Sequence, residues 1–258
     1  MGHQKLGAIS RSRTWQQVVG LIADGASVET VAAATSQAAE ASVIDASADP
    51  AVRHAFWLLT QIPLAAREKH FAPALRRLGV EIGDHPTLLE VTTALMDAVD
   101  HGVAQSKRRS DFGEMAQLCA VESLTAVAGR ELPDLFGTNE RVQRILGGLA
   151  TPKQFAVLAR DFFARLARLH LNYFLSRTLS GHVGASRRFS SVREHRAFEE
   201  ALDVHCRETS RIVREFSAEW FSKHVHEGGI DQGTAGRFVH AAFQKVREEL
   251  RRRRGADV

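Results

Sequence analysis

The sequence predicts an all-α protein: a multi-helix globular chain whose C-terminal part is an antiparallel three-helix region of long helices. Three observations carry this. All six prolines (Pro50, Pro63, Pro73, Pro86, Pro133 and Pro152) lie before residue 153, so residues 153–258 lack the residue that most strongly breaks helix interiors. Through that stretch apolar residues recur every three or four positions, the period of a helix with one buried face. Runs that alternate apolar and polar residues and are rich in β-branched side chains, as half-buried strands require, are missing.

Residues 1–12 read as a basic, flexible arm. A first helix is expected over about 14–23, with Trp15, Val18, Val19 and Ile22 on one face and Gly25 after its end. Ser27 caps an alanine-rich helix over about 28–41. Asp49 followed by Pro50 is a start signal, because an aspartate accepts from the first free N–H groups and proline suits the first helical position. Pro63 is expected to kink or break that helix. Asp84 or His85 before Pro86 opens a helix over about 86–104, striped by Leu88, Leu89, Val91, Leu95, Met96 and Val99. Ser110, with Glu114 nearby, opens a helix to about residue 127. Thr138 or Asn139 opens a short one ending near Gly147 and Gly148.

Thr151 and Pro152 repeat the cap-plus-proline signal, and the helix behind them is expected to reach about Leu179. Its stripe is Phe155, Leu158, Phe162, Leu166, Leu169 and Tyr173. Ser191 and Glu194 form a capping box. The following helix is expected to be nearly continuous over 193–220, with Phe198, Leu202, Ile212, Val213, Phe216 and Trp220 aligned. Gly228 and Gly229 make a turn, and Asp231 opens a last helix over about 232–253. The expected organisation is thus an arm (1–12), a helical N-terminal region (13–150) and a basic long-helix region (151–258), with the two helical regions either separate or sharing one core.

Composition narrows the function classes. At 44% hydrophobic and 25% charged the chain is ordinary for a globular protein. No apolar run approaches the roughly 20 residues that span a bilayer. The N-terminal residues contain no apolar signal-peptide core, and Leu6 stands where a myristoylation signal has Ser or Thr. The expected location is cytoplasmic. Cys119 and Cys206 form no disulfide framework and read as small buried apolar residues.

Charge is distributed unevenly. Residues 1–150 hold 14 Lys and Arg against 17 Asp and Glu, a balance of −3; residues 151–258 hold 20 against 13, a balance of +7. The basic clusters are Lys107, Arg108 and Arg109; Arg187, Arg188, Arg193 and Arg196; and Arg251, Arg252, Arg253 and Arg254. The guanidinium fork suits phosphate and carboxylate, so Arg187, Arg188, Arg193 and Arg251 to Arg254 are the candidate contacts to a polyanion such as nucleic acid, or to an acidic protein. Part of the C-terminal run complements the helix dipole.

Catalytic signatures are absent. There is no Walker motif, no Gly-x-Gly-x-x-Gly, no Gly-x-Ser-x-Gly, no His-Glu-x-x-His and no Glu-x-x-His. Asp111-Phe112-Gly113 lacks the other kinase elements and reads as a helix start. The alternative to a binding protein is an enzyme or metal protein with a pocket between helices, using His170, His195, Glu199 and His205. On a helix His195 and His205 lie about 15 Å apart, too far to share an ion directly. His224 and His226 are the closest histidine pair, but no third or fourth ligand accompanies them. The sequence therefore favours a non-enzymatic accessory or adaptor protein without a cofactor. A protein–protein scaffold with no nucleic-acid role is the third reading.

Overall fold

The structure, a computed structural model, describes residues 3–4, 12–106, 109–131 and 139–253. Among these the chain forms twelve α-helices: α1 (Arg13–Ala23), α2 (Val28–Ala38), α3 (Glu40–Ala48), α4 (Pro50–Ala65), α5 (Phe71–Arg77), α6 (Leu88–Ser106), α7 (Asp111–Ala128), α8 (Asn139–Gly148), α9 (Pro152–Ser180), α10 (Val192–Thr209), α11 (Arg211–His226) and α12 (Gln232–Arg252). The strand content is one two-residue parallel pairing, β1 (His3–Gln4) with β2 (Arg109–Ser110). Apart from His3, Gln4 and Ser12, the expected basic arm lies outside the described residues, as do Lys107, Arg108 and Arg254.

Most helix starts follow from local chemistry. Side chains of Ser27, Asp49, Ser110, Thr151, Ser191 and Asp231 each accept a hydrogen bond from a first-turn backbone N–H, which satisfies donors that have no partner within the helix. At Ser191 the box is shifted by one residue: Ser191 Oγ accepts from Glu194 N, while the Glu194 carboxylate accepts from the N–H and hydroxyl of Ser190. The helix expected from residue 86 begins at Leu88, because Thr87 and Glu90 cap each other reciprocally at 2.6 and 3.2 Å.

Three expectations are corrected, and one helix is added. The alanine-rich helix stops at Ala38, and a separate helix, α3, follows. Pro63 does not break α4; it sits in the last turn and the helix continues to Ala65. The short helix α5 was not foreseen. The helix expected to be nearly continuous over 193–220 is interrupted at Ser210, and its second part runs on to His226. There the Thr209 hydroxyl donates to the carbonyls of His205 and Cys206, competing with the backbone ladder, and Val213 N bonds to Ser210 O in a tighter turn.

In the C-terminal region α10 and α11 both run against α9, while α12 runs with it. Along α9, Phe155 meets Phe221, Arg160 meets Arg207 and Glu208, and Arg168 meets Asp203. Rising numbers on α9 thus face falling numbers on α10 and α11. α12 runs against α11, since Phe238 meets Trp220 and Lys245 meets Phe216, and so runs the same way as α9. At 29 residues, α9 is about 44 Å long.

Phe56 on α4 joins this region to the first part of the chain. Its ring, 0% exposed, touches Phe155, Phe162 and Phe163 of α9, Trp220 of α11 and Phe238 of α12, the last stacked at 5.0 Å. Beside it Trp57 Nε1 and Gln61 Nε2 both donate to Ile230 O, at 2.9 and 3.0 Å. One continuous cluster of buried apolar residues runs from Trp15 to Leu250.

Candidate functional site

The connection from α9 to α10 holds two of the candidate arginines, Arg187, which is exposed, and Arg188, which is half-buried. It is a folded loop. Gly184 N donates to Phe189 O, Phe189 N donates to His182 O, and Gly184 and Ser186 take positive φ values of 140° and 62°. Phe189 is buried and packs edge-on against Phe198 and His195. Its anchoring sends the two preceding arginines in different directions.

Arg187 is exposed, and one guanidinium nitrogen donates to Gly181 O. Arg188 turns inward. It donates to Ala26 O at 2.9 Å, and its guanidinium carbon lies 5.5 Å from the ring centre of Phe189 and 5.9 Å from that of Phe198. It thereby ties the loop to the turn between α1 and α2. Gly25 in that turn has φ +81°, and a Cβ there would lie 3.1 Å from an Arg188 nitrogen. Both the backbone conformation and the close approach favour glycine.

Arg177, Arg193 and Arg196 surround Arg187 in sequence and are exposed. Among the described residues none of these four forms an ion pair with a carboxylate. The nearby acid, Glu194, is engaged by Ser190, whose hydrogen bonds hold its carboxyl below the usual range. Arg188 and Phe189 tie the loop to the helices around it, and the four exposed arginines each offer donors suited to phosphate or carboxylate oxygens.

The C-terminal arginines are differently placed. Arg251 pairs with Glu40 of α3 at 3.1 Å, Arg252 with Glu249 at 2.9 Å, and Arg253 with the same Glu249 at 3.8 Å. Much of the remaining positive charge after residue 151 is spent between helices. Arg165 bonds to Asp161 and to Glu122 of α7, both at 2.6 Å; Arg168 and Arg207 share Asp203; Arg160 and Arg211 share Glu208. The sequence excess of +7 overstates the charge free to meet a partner.

The histidines of the alternative reading are dispersed. His170 is buried on α9, stacked on Phe112 at 5.0 Å, with Nε2 2.9 Å from Ser42 Oγ. Because the Ser42 hydroxyl donates to Ala39 O, Nε2–H of His170 is the donor to Ser42. Burial holds the His170 pKa at about 4, so the ring is neutral at pH 7. His195 packs on Phe189, with Nε2 3.8 Å from Glu199 on its own helix. His205 is buried on α10, within electrostatic reach of Glu29 of α2. His224 Nδ1–H donates to Trp220 O within α11, while His226 is exposed. Among the described residues no group of three or more His, Cys, Asp and Glu side chains converges as a metal site. Both cysteines are buried, and burial pushes their thiols up, Cys206 to about 12.

One arrangement was invisible in the sequence. α3 lies over α12 with its Glu40 carboxylate shared between Arg247 at 2.8 Å and Arg251 at 3.1 Å. Glu40 and Arg247 are 207 positions apart, and neither stands in a recognisable motif.

No family model, curated protein or solved structure matches this chain. No helix among the described residues is long and apolar enough to cross a membrane.

Proposed function

We propose that this is a non-enzymatic accessory or adaptor protein that binds a phosphate-bearing polyanion, with nucleic acid as the first candidate. The binding surface is the loop between α9 and α10. The observation that carries the reading is the state of its arginines: Arg177, Arg187, Arg193 and Arg196 are exposed and, among the described residues, unpaired with carboxylates. Arg251, Arg252 and Arg253, the other candidates, already hold acidic partners. Arg188 contributes as the tie that fixes the loop. Such contacts neutralise phosphates without reading bases, so binding is expected to be insensitive to sequence.

Fluorescence anisotropy with labelled duplex DNA and single-stranded RNA tests this. Four phosphate contacts imply an affinity loss of about a hundredfold between about 50 and about 200 mM salt, through counterion release. Arg187→Ser with Arg193→Ser and Arg196→Ser is expected to remove most of the binding. The same change at Arg251, Arg252 and Arg253 is expected to matter less. Equal loss from the two triple variants would move the surface to α12. Binding to an acidic peptide but to no nucleic acid would make the partner an acidic protein.

A further inference from the structure

Where α2, α9 and α12 meet, two of the facing side chains are small, Ser36 of α2 and Ala167 of α9. They are too short to fill the space between their longer neighbours, Leu171 and Val246 among them. A cavity of about 20 Å³ remains, room for about one water molecule. Most of its wall is apolar. Three polar side chains also line it, one from each helix: Ser36, His170 of α9 and Arg247 of α12. Ser36 and His170 are buried, and the Arg247 side chain is 14% exposed.

Each polar group has a hydrogen-bonding capacity to spare. Arg247 brings a donor. Its Nε–H is buried and has no hydrogen-bond partner among the described residues, and a buried donor left in that state is costly. His170 brings an acceptor. Its Nε2–H donates to Ser42 Oγ at 2.9 Å, so Nδ1 carries a lone pair and no proton. Ser36 brings a hydroxyl, which donates or accepts as its neighbour requires. Among the described residues no hydrogen bond occupies that hydroxyl or His170 Nδ1.

These groups select a small neutral occupant. The charge of Arg247 is met at 2.8 Å by Glu40, a carboxylate that does not line the cavity. An anion would meet the lone pair of His170 Nδ1, and a cation would meet the Arg247 Nε–H. A molecule that both accepts and donates suits all three. We propose that the cavity is the site of one long-lived water molecule, which accepts from Arg247 Nε–H, donates to His170 Nδ1 and shares a hydrogen bond with Ser36 Oγ. Three partners are the usual number for a buried water. The water joins α2, α9 and α12 through one group from each. It also holds the tautomer of His170 from one ring nitrogen as Ser42 does from the other. The site lies apart from the loop between α9 and α10, so its test is independent of polyanion binding.

A crystal structure of the full chain, together with water-to-protein nuclear Overhauser effects in solution, decides the matter. The crystal is expected to show a single density peak within about 2.7–3.2 Å of Arg247 Nε, His170 Nδ1 and Ser36 Oγ. In solution the methyl groups of Ala167, Leu171 and Val246 are expected to show effects from water, with the sign of a long-lived molecule. These should survive in Ser36→Ala, where two partners remain and no hydroxyl proton at that position can relay the signal. They should fall at least about threefold in Arg247→Lys, which keeps a positive charge for Glu40 but has no donor at the Nε position, so that one hydrogen bond to the water is lost. No density in the cavity would overturn the proposal, as would loss of the effects in Ser36→Ala or undiminished effects in Arg247→Lys. Crystals grown in bromide check the occupant: an anomalous peak in the cavity would make it an anion and overturn the proposal too. If Arg247→Lys does not fold, the density and the Ser36→Ala comparison decide.

Discussion

Lowering the pH from about 7 to about 4 should destabilise this protein, and His170 should supply an identifiable share. The ring is 5% exposed, lies against Phe112 and Phe174, and donates to Ser42 from Nε2. Burial disfavours its charged form and holds its pKa at about 4, against an ordinary 6.5. Between those values the unfolded chain takes up a proton that the folded chain refuses. Stability is therefore unaffected above about pH 6.5, falls as the pH drops through that value, and levels off near pH 4. At about 1.36 kcal/mol per pH unit the gap is worth about 3 kcal/mol. That is a large part of the 5–15 kcal/mol or so that holds a typical domain together. Urea denaturation followed by far-ultraviolet circular dichroism, at several pH values across the window, measures the slope for the wild type and for His170→Gln. Glutamine keeps a donor for Ser42 and does not titrate, so other histidines cancel in the difference, including His54, whose pKa burial also lowers. The difference between the two proteins should grow to about 3 kcal/mol toward pH 4, in favour of the variant. Parallel curves would refute the reasoning and show that the folded protein opens to admit the proton.

Three further outcomes are expected. Phe56→Ala should cost about 3–5 kcal/mol in chemical denaturation, because it empties a fully buried site shared by α4, α9, α11 and α12; a loss below about 1 kcal/mol would mean that the neighbouring rings collapse into the space. Arg188→Ala should cost about 1–2 kcal/mol by removing the bond to Ala26 O and the contacts with Phe189 and Phe198, and faster amide exchange at residues 181–191 is the accompanying sign. Cys119 and Cys206 should resist a thiol-specific reagent in the native state near pH 8 and react together once urea unfolds the chain, since burial keeps both protonated; labelling of either at native stoichiometry would contradict their burial.

The sequence by itself determined the helix class and most helix starts. Ser27, Asp49, Ser110, Thr151, Ser191 and Asp231 could be read as caps because a cap bonds to a backbone N–H two or three residues away. The stripe from Phe155 through Leu166 was legible for the same reason, since a helical period is a property of neighbouring residues. α3 was hidden because the described links that hold it come from distant positions on α4, α9 and α12, and α5 is too short to show a period. The break at Ser210 depends on the Thr209 hydroxyl choosing the carbonyls behind it. The candidate sites depended still more on tertiary structure. Sequence could count the arginines of the C-terminal region, but only the docking of helices decided that Arg188 reaches Ala26, that Arg247 and Arg251 share Glu40, and that Arg187, Arg193 and Arg196 remain open. Ion pairs and buried donors join groups as far as 207 positions apart, and no local pattern encodes which two helix faces meet.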